Sequence, residues 1–367
     1  MAAIGFGSSY NEQLYRPGII LESELATPLA AFRGEDGSDC AFPVLERQGL
    51  GRGSNVKLRF SGVNHNTIPL INGQNVVGNE QNISTEYEDS MELRYFGFSD
   101  AIENEVVEQN LVSWSRRSQK LSGIALLWAE LWETWTINQL VGNTLVNTGY
   151  TADYAGSGGN IVTAMDSQHT YWAPQSNGTA TGSDANVAAQ ASAVLDTRVI
   201  DDLVTRASSR AFLTYPIAPC DTPFGKLYVL VCHPMGYQSI IENSSGSDLY
   251  DITRAAIQGG MDLSMSPLVN AEGFIYKKTL VIKSDFCPQG ITGGAAQANT
   301  RVAAFFGARA GHWLFGEGYT DGEHLGYKEH DVLRRTTMLT DTVAGFKRTI
   351  VNGLSWSSFR VVHYTPA

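Results

Sequence analysis

Val56, Leu58 and Phe60 alternate with Lys57, Arg59 and Ser61. Further along, Tyr87, Met91, Leu93 and Tyr95 alternate with Glu86, Glu88, Glu92 and Arg94. Period two is the signature of a half-buried strand. The outgoing polar face is basic and the returning one is mostly acidic, so facing residues of an antiparallel pair attract. The stretch 55–98 is therefore predicted to be one long two-stranded ribbon, with an Asn- and Gly-rich polar middle. Such a ribbon is marginal in water by itself and needs a surface to lie on. No neighbouring stretch of the chain offers an obvious one. Two readings stay open: a hairpin packed on its own domain, or an arm lying on another subunit.

A different period follows. Trp114, Leu121, Ile124, Ala125, Trp128, Leu131, Trp132 and Trp135 recur at steps of three, four or seven. This predicts a helix over 110–141 with one continuous apolar stripe, about 48 Å long. Gly123 is its weak point. The tryptophans read as core packing, and the helix as a beam.

The rest is less regular. Residues 1–50 are an irregular arm with short apolar patches. Residues 143–186 are rich in Gly, Ser, Thr and Asn and read as a loop or insertion. A second helix is expected over 186–209, capped by Asp184. LYVLVCH, 227–233, is a fully apolar strand, and Pro234 ends it. GFIYKKTLVIKS, 273–284, reads as a strand or a pair. NTRVAAFFGARAGHWLF, 299–315, reads as a short helix of small residues. Residues 345–367 contain two short strands broken by the turn signal Asn352-Gly353. There is no internal repeat.

Length and composition narrow the function. The 367 residues suit about two or three domains. Charged residues are only 17%, replaced by neutral polar ones that are cheaper to desolvate in protein contacts. A net charge of −11 argues against gripping a nucleic acid backbone. Cys40, Cys220, Cys232 and Cys287 show no paired spacing, so neither a zinc site nor a disulfide framework is expected, and a reducing setting is the default. There is no signal-peptide pattern and no apolar run of membrane-span length. The sequons at Asn82, Asn177 and Asn243 then carry no glycan meaning.

Candidate chemistry is sparse. Gly225-Lys226 lacks the remainder of a phosphate loop, GLGRGS at 49–54 lacks dinucleotide-binding spacing, and there is no GxSxG or HExxH. In DGEHLGYKEHD, 321–331, His324, Glu329, His330 and Asp331 are candidate metal ligands, but the two histidines are six apart and a solvated polar loop is preferred. His233 reads as a structural histidine. No catalytic residue, cofactor or metal is assigned.

The order of these parts resembles a tailed-bacteriophage major capsid protein of the HK-97 fold, and in detail the family of the podophage N-four capsid protein. The resemblance rests on GRGSNVKLRFSG and VVGNEQNIS around the ribbon, LYVLVCHP, SPLVNAEGFIYKKTLVI, ANTRVAAFFGARA, and HDVLRRTTMLTDTVAGFKRTIVNG. It covers nearly the whole chain from about residue 45; region 143–186 matches nothing.

The resemblance implies an α+β fold. An N-terminal arm (1–50) would lead into the extended loop, a β-ribbon (51–100). A peripheral domain with the spine helix (101–145) and an axial domain (146–325) carrying the insertion follow, and C-terminal strands (326–367) return to the peripheral domain. Lys57, Arg59, Glu80, Glu86, Glu88 and Glu92 are then expected inter-subunit contacts. Trp114, Trp128, Leu131, Trp132 and Trp135 form the spine-helix core. The implied partners are other copies, as hexamers and pentamers of an icosahedral shell around double-stranded DNA, with scaffolding, portal and decoration proteins as further candidates. The implied location is the virion, assembled in the host bacterial cytoplasm, with no membrane and no sequence-specific DNA binding. No cleaved N-terminal scaffold is expected. An encapsulin-like compartment is the nearest alternative; a glycan-binding or adhesin module and a hydrolase using 321–331 are those of other classes.

Overall fold

A computed structural model describes residues 28–35, 37–46, 55–63, 84–103, 113–147, 160–179, 181–222, 225–243, 273–316, 324–330 and 335–366. Two sheets share one beam helix. The first has β1 (Arg33–Glu35), β2 (Phe42–Glu46), β14 (Gly311–Phe315), β16 (Arg335–Arg348) and β15 (His324–His330) in that order, with β5 (Arg94–Glu103) also on β16. The second runs β6 (Thr170–Trp172), β19 (Ser358–Tyr364), β13 (Thr300–Phe306), β8 (Gly225–Cys232), β10 (Thr279–Lys283), β9 (Gly273–Tyr276), and β7 (Cys220–Thr222) pairs with β8.

The beam is α1 (Ser113–Val141), about 43 Å long. Trp128, Trp132 and Trp135 stack along its buried face: ring centroids are 5.3 Å apart for the first pair and 5.8 Å for the second. Phe98 meets Trp128 edge-on at 4.8 Å, Phe96 meets Trp135 at 4.9 Å, and Trp313 meets Trp132 at 5.1 Å. The Trp128 indole donates to Thr340 Oγ1 at 3.0 Å. The expected stripe is thus the seam between helix and first sheet, with Leu131 buried beside it. Trp114 lies within α1; its side chain is outside the described residues.

Several expectations are corrected. Residues 299–315 are not a helix but the strands β13 and β14. Val302 to Phe306 are all buried, because β13 lies between β19 and β8; burial on both faces overrides the helix preference of alanine. The single helix over 186–209 is two, α2 (Asp184–Ala188) and α3 (Thr197–Ser208). Ser183 caps the first and Asp196 the second. Asp184 is no cap: it is buried, and it pairs with Arg360 while accepting from the Trp172 indole (2.9 Å) and the Ile291 amide (2.6 Å).

The arm and the insertion are likewise built in where they are described. Phe32 and Phe42 enter the main core, and β1 and β2 extend the first sheet. From the 143–186 region, β6 pairs with β19, and Asn160, Val162, His169 and Ala173 are buried. In the segment 326–367, β16 belongs to the first sheet and β19 to the second.

Other readings hold. β8 is buried from Leu227 to Cys232, and Pro234 opens the helix α4 (Pro234–Asn243). β9 and β10 form a hairpin turned at Lys277 and Lys278, both at positive φ. Asn352 (φ 53) and Gly353 (φ 76) turn another hairpin. All four cysteines are free and buried. Part of the loop expected at 321–331 is strand β15. Along it His324 and His330 stand about 20 Å apart, too far to share an ion.

Candidate assembly interface

The ribbon forms as its alternation predicts. β3 (Asn55–Val63) and β4 (Ser84–Glu92) pair antiparallel, with Val56 opposite Met91 and Arg59 opposite Glu88. It ends earlier than expected, at Glu92. Leu93 breaks the run and is fully buried, and the following residues, including 94–98, leave β3 to pair with β16 as β5.

The described part of the ribbon has a surface in its own chain, as in the first of the two readings left open. Val56, Leu58, Met91 and Leu93 form a cluster with Leu45, Leu314 and Val343 of the first sheet, joined by Phe60. Phe60 also meets the His312 ring at 5.8 Å, and the Tyr87 hydroxyl lies 3.2 Å from that of Tyr215. On the same face Lys347 pairs with Asp89 at 2.5 Å. Sequence pattern alone did not point to this surface, because Leu45, Leu314 and Val343 come from three distant strands.

The opposite face is open and charged. Glu88 pairs with Lys57 at 3.1 Å and with Arg59 at 3.2 Å, and the Lys57 contact, with help from Arg59, lowers its carboxyl below the ordinary value. Glu86 is exposed beside them, opposite Ser61. Glu92 does not join this group; it is half-buried and paired with Arg94 at 3.2 Å. Glu80 lies outside the described residues. The structure therefore gathers Lys57, Arg59, Glu86 and Glu88 on one solvent-facing strip.

Among the described residues no group of three or more His, Cys, Asp or Glu is placed to hold a metal ion, and no helix is long and apolar enough to cross a membrane. His233 is half-buried, and its Nδ1 accepts from the Met235 amide at 3.3 Å.

A ribbon seated at its base on a sheet that packs against a long beam helix, with a second sheet on the same helix, is an HK-97-like fold. The capsid of Ralstonia phage GP4 matches with a TM-score of 0.72 at 16% identity, covering 92% of this chain and 90% of that one. The cyanophage Pam1 capsid matches with a TM-score of 0.67 at 14% identity, covering 92% of each. The capsid of Helicobacter pylori bacteriophage KHP30 matches at 0.59 and 10% identity, over 93% and 91%. No curated protein sequence matches. The family described as phage capsid protein matches residues 32–355, and the chain belongs to it. Neither the family nor these structures single out the N-four-like branch.

Proposed function

We propose that this chain is the major capsid subunit of a tailed phage, tiling an icosahedral shell as hexamers and pentamers around double-stranded DNA. In this reading the peripheral part is α1 with the first sheet, and the axial part is the second sheet with α2 to α4. The ribbon is the inter-subunit arm. Membership of the phage capsid family carries the reading. The open face of Lys57, Arg59, Glu86 and Glu88 supports it: this strip is exposed while the other face is already used. The role is structural, without catalysis. The shell would take up a portal, and scaffolding or decoration proteins, during assembly in the bacterial cytoplasm.

Electron microscopy and native mass measurement of the full chain test this. Closed particles holding nuclease-protected double-stranded DNA, when made during infection, are the expected result. Closed particles filled with protein cargo instead would favour the compartment reading. Only monomers or small rings under virion-like conditions would overturn both.

A further inference from the structure

The chain passes from the ribbon to the first sheet at one backbone point. Up to Glu92 the chain belongs to the ribbon; from Arg94 it belongs to the first sheet. Both backbone polar groups of Glu92 are taken by a single side chain. Asn160 Oδ1 accepts from the Glu92 amide at 3.0 Å, and Asn160 Nδ2 donates to the Glu92 carbonyl at 2.5 Å. One carboxamide thus replaces a strand partner at the point where the chain changes sheets.

Asn160 is fully buried and is itself held from two sides. Its carbonyl accepts from Gln139 Nε2 at 2.6 Å, and Gln139 is buried near the C-terminal end of α1. The residues after it are held by Arg348, which donates to the Thr163 carbonyl at 3.1 Å and that of Ala164 at 3.4 Å. Gly345 makes room for the junction. A Cβ there would stand 2.6 Å from the Glu92 carbonyl oxygen and 3.1 Å from Asn160 Nδ2. The end of the beam helix, the insertion and the ribbon root are therefore linked through one asparagine.

We propose that Asn160 is the positioning residue that fixes the ribbon's exit angle relative to α1, and through it the spacing at which subunits meet. Its consequence for assembly rests on the shell reading above; its effect on the ribbon does not. The lone substitution most revealing is Asn160→Asp, which keeps the shape and the acceptor but puts an oxygen against the Glu92 carbonyl. Gly345→Ala strains the same junction from the opposite side.

The test combines hydrogen exchange on the full-length unassembled subunit with particle yield. For both variants we expect exchange of 84–96 to be at least tenfold faster, that of 225–232 to stay within twofold of the parent, and yield of closed particles to fall at least tenfold. Unchanged exchange of 84–96 in both variants overturns the proposal. So does faster exchange with parental yield and particle diameter. If the aspartate variant loses protection throughout, Asn160→Ser and Gly345→Ala are judged by the same two criteria. Should the parent chain form no particles, the shell reading fails while the exchange comparison still decides the clamp.

Discussion

Lys347 Nζ lies 2.5 Å from Asp89 Oδ1 and 2.8 Å from the Ser90 carbonyl, joining the ribbon to β16 where the two side chains are only 12% and 14% exposed. A pair this enclosed is worth little against an apolar replacement of both partners, but removing one strands the other. Lys347→Met alone should cost about 3 kcal/mol. Adding Asp89→Leu should recover most of that loss. Chemical denaturation of the two single variants and the double variant reads the cycle; equal, additive losses would mean the pair is not coupled.

The open ribbon face behaves differently. Lys57 and Arg59 both reach Glu88, and all three are well exposed. Exposed pairs contribute little to folding. Lys57→Glu with Arg59→Glu should therefore leave a folded, soluble subunit with nearly parental melting. Particle yield should nonetheless collapse, because a small repulsion recurs at every contact of a shell. A lowered melting point with normal particles would show that the strip serves only its own subunit.

Glu133 gives a pH prediction. It is 5% exposed on α1, and burial pushes its carboxyl above the ordinary 4.5, although Ser284 Oγ donates to it at 2.6 Å. The folded state thus holds its proton more tightly than the unfolded one, and this contribution to stability is lost as pH rises from 4.5 through the folded value. Glu133→Gln keeps an acceptor for Ser284 without the charge. It should raise the melting temperature at pH 7 and change little below pH 4.5. An identical shift at both pH values would count against the argument.

His363 works in the opposite direction. It is fully buried, and burial lowers its pKa from 6.5 to about 4, with His233 and Arg301 adding to the effect against the Tyr364 carbonyl. The unfolded chain takes up the proton first, so stability present above pH 6.5 is lost as pH falls towards 4. Replacing it, as His363→Gln, should flatten the melting curve over that window, measured as melting temperature against pH. Retention of the parental slope would assign the acid sensitivity to other groups.

How far the sequence reveals this fold depends on whether burial is one-sided. The ribbon strands, and α1 over 123–130, bury one face each, so their periods of two and near 3.6 are visible and the tryptophan stripe falls where the period puts it; from Leu131 to Val141 the helix is buried almost all round. β13 buries both faces, which erases the period, and its Ala303 and Ala304 then resemble a helix. Asp184 resembles a helix cap in sequence because capping is a local rule; its partner Arg360 is 176 positions away. The ribbon's open charges were legible from alternation. The clamp was not, since an asparagine in a stretch rich in Gly, Ser and Asn looks like every other loop amide.

The change of sheet at Leu93 also decides how the subunit bears load. β5 is continuous with the ribbon and lies beside β16 over ten facing pairs, from Arg94 against Ala344 to Glu103 against Arg335. A pull applied along β5 is delivered along this ladder lengthwise. Its hydrogen bonds are then strained in parallel and must yield together, instead of opening one after another from an end. A strand rooted this way resists tension along its length better than one whose hydrogen bonds open singly.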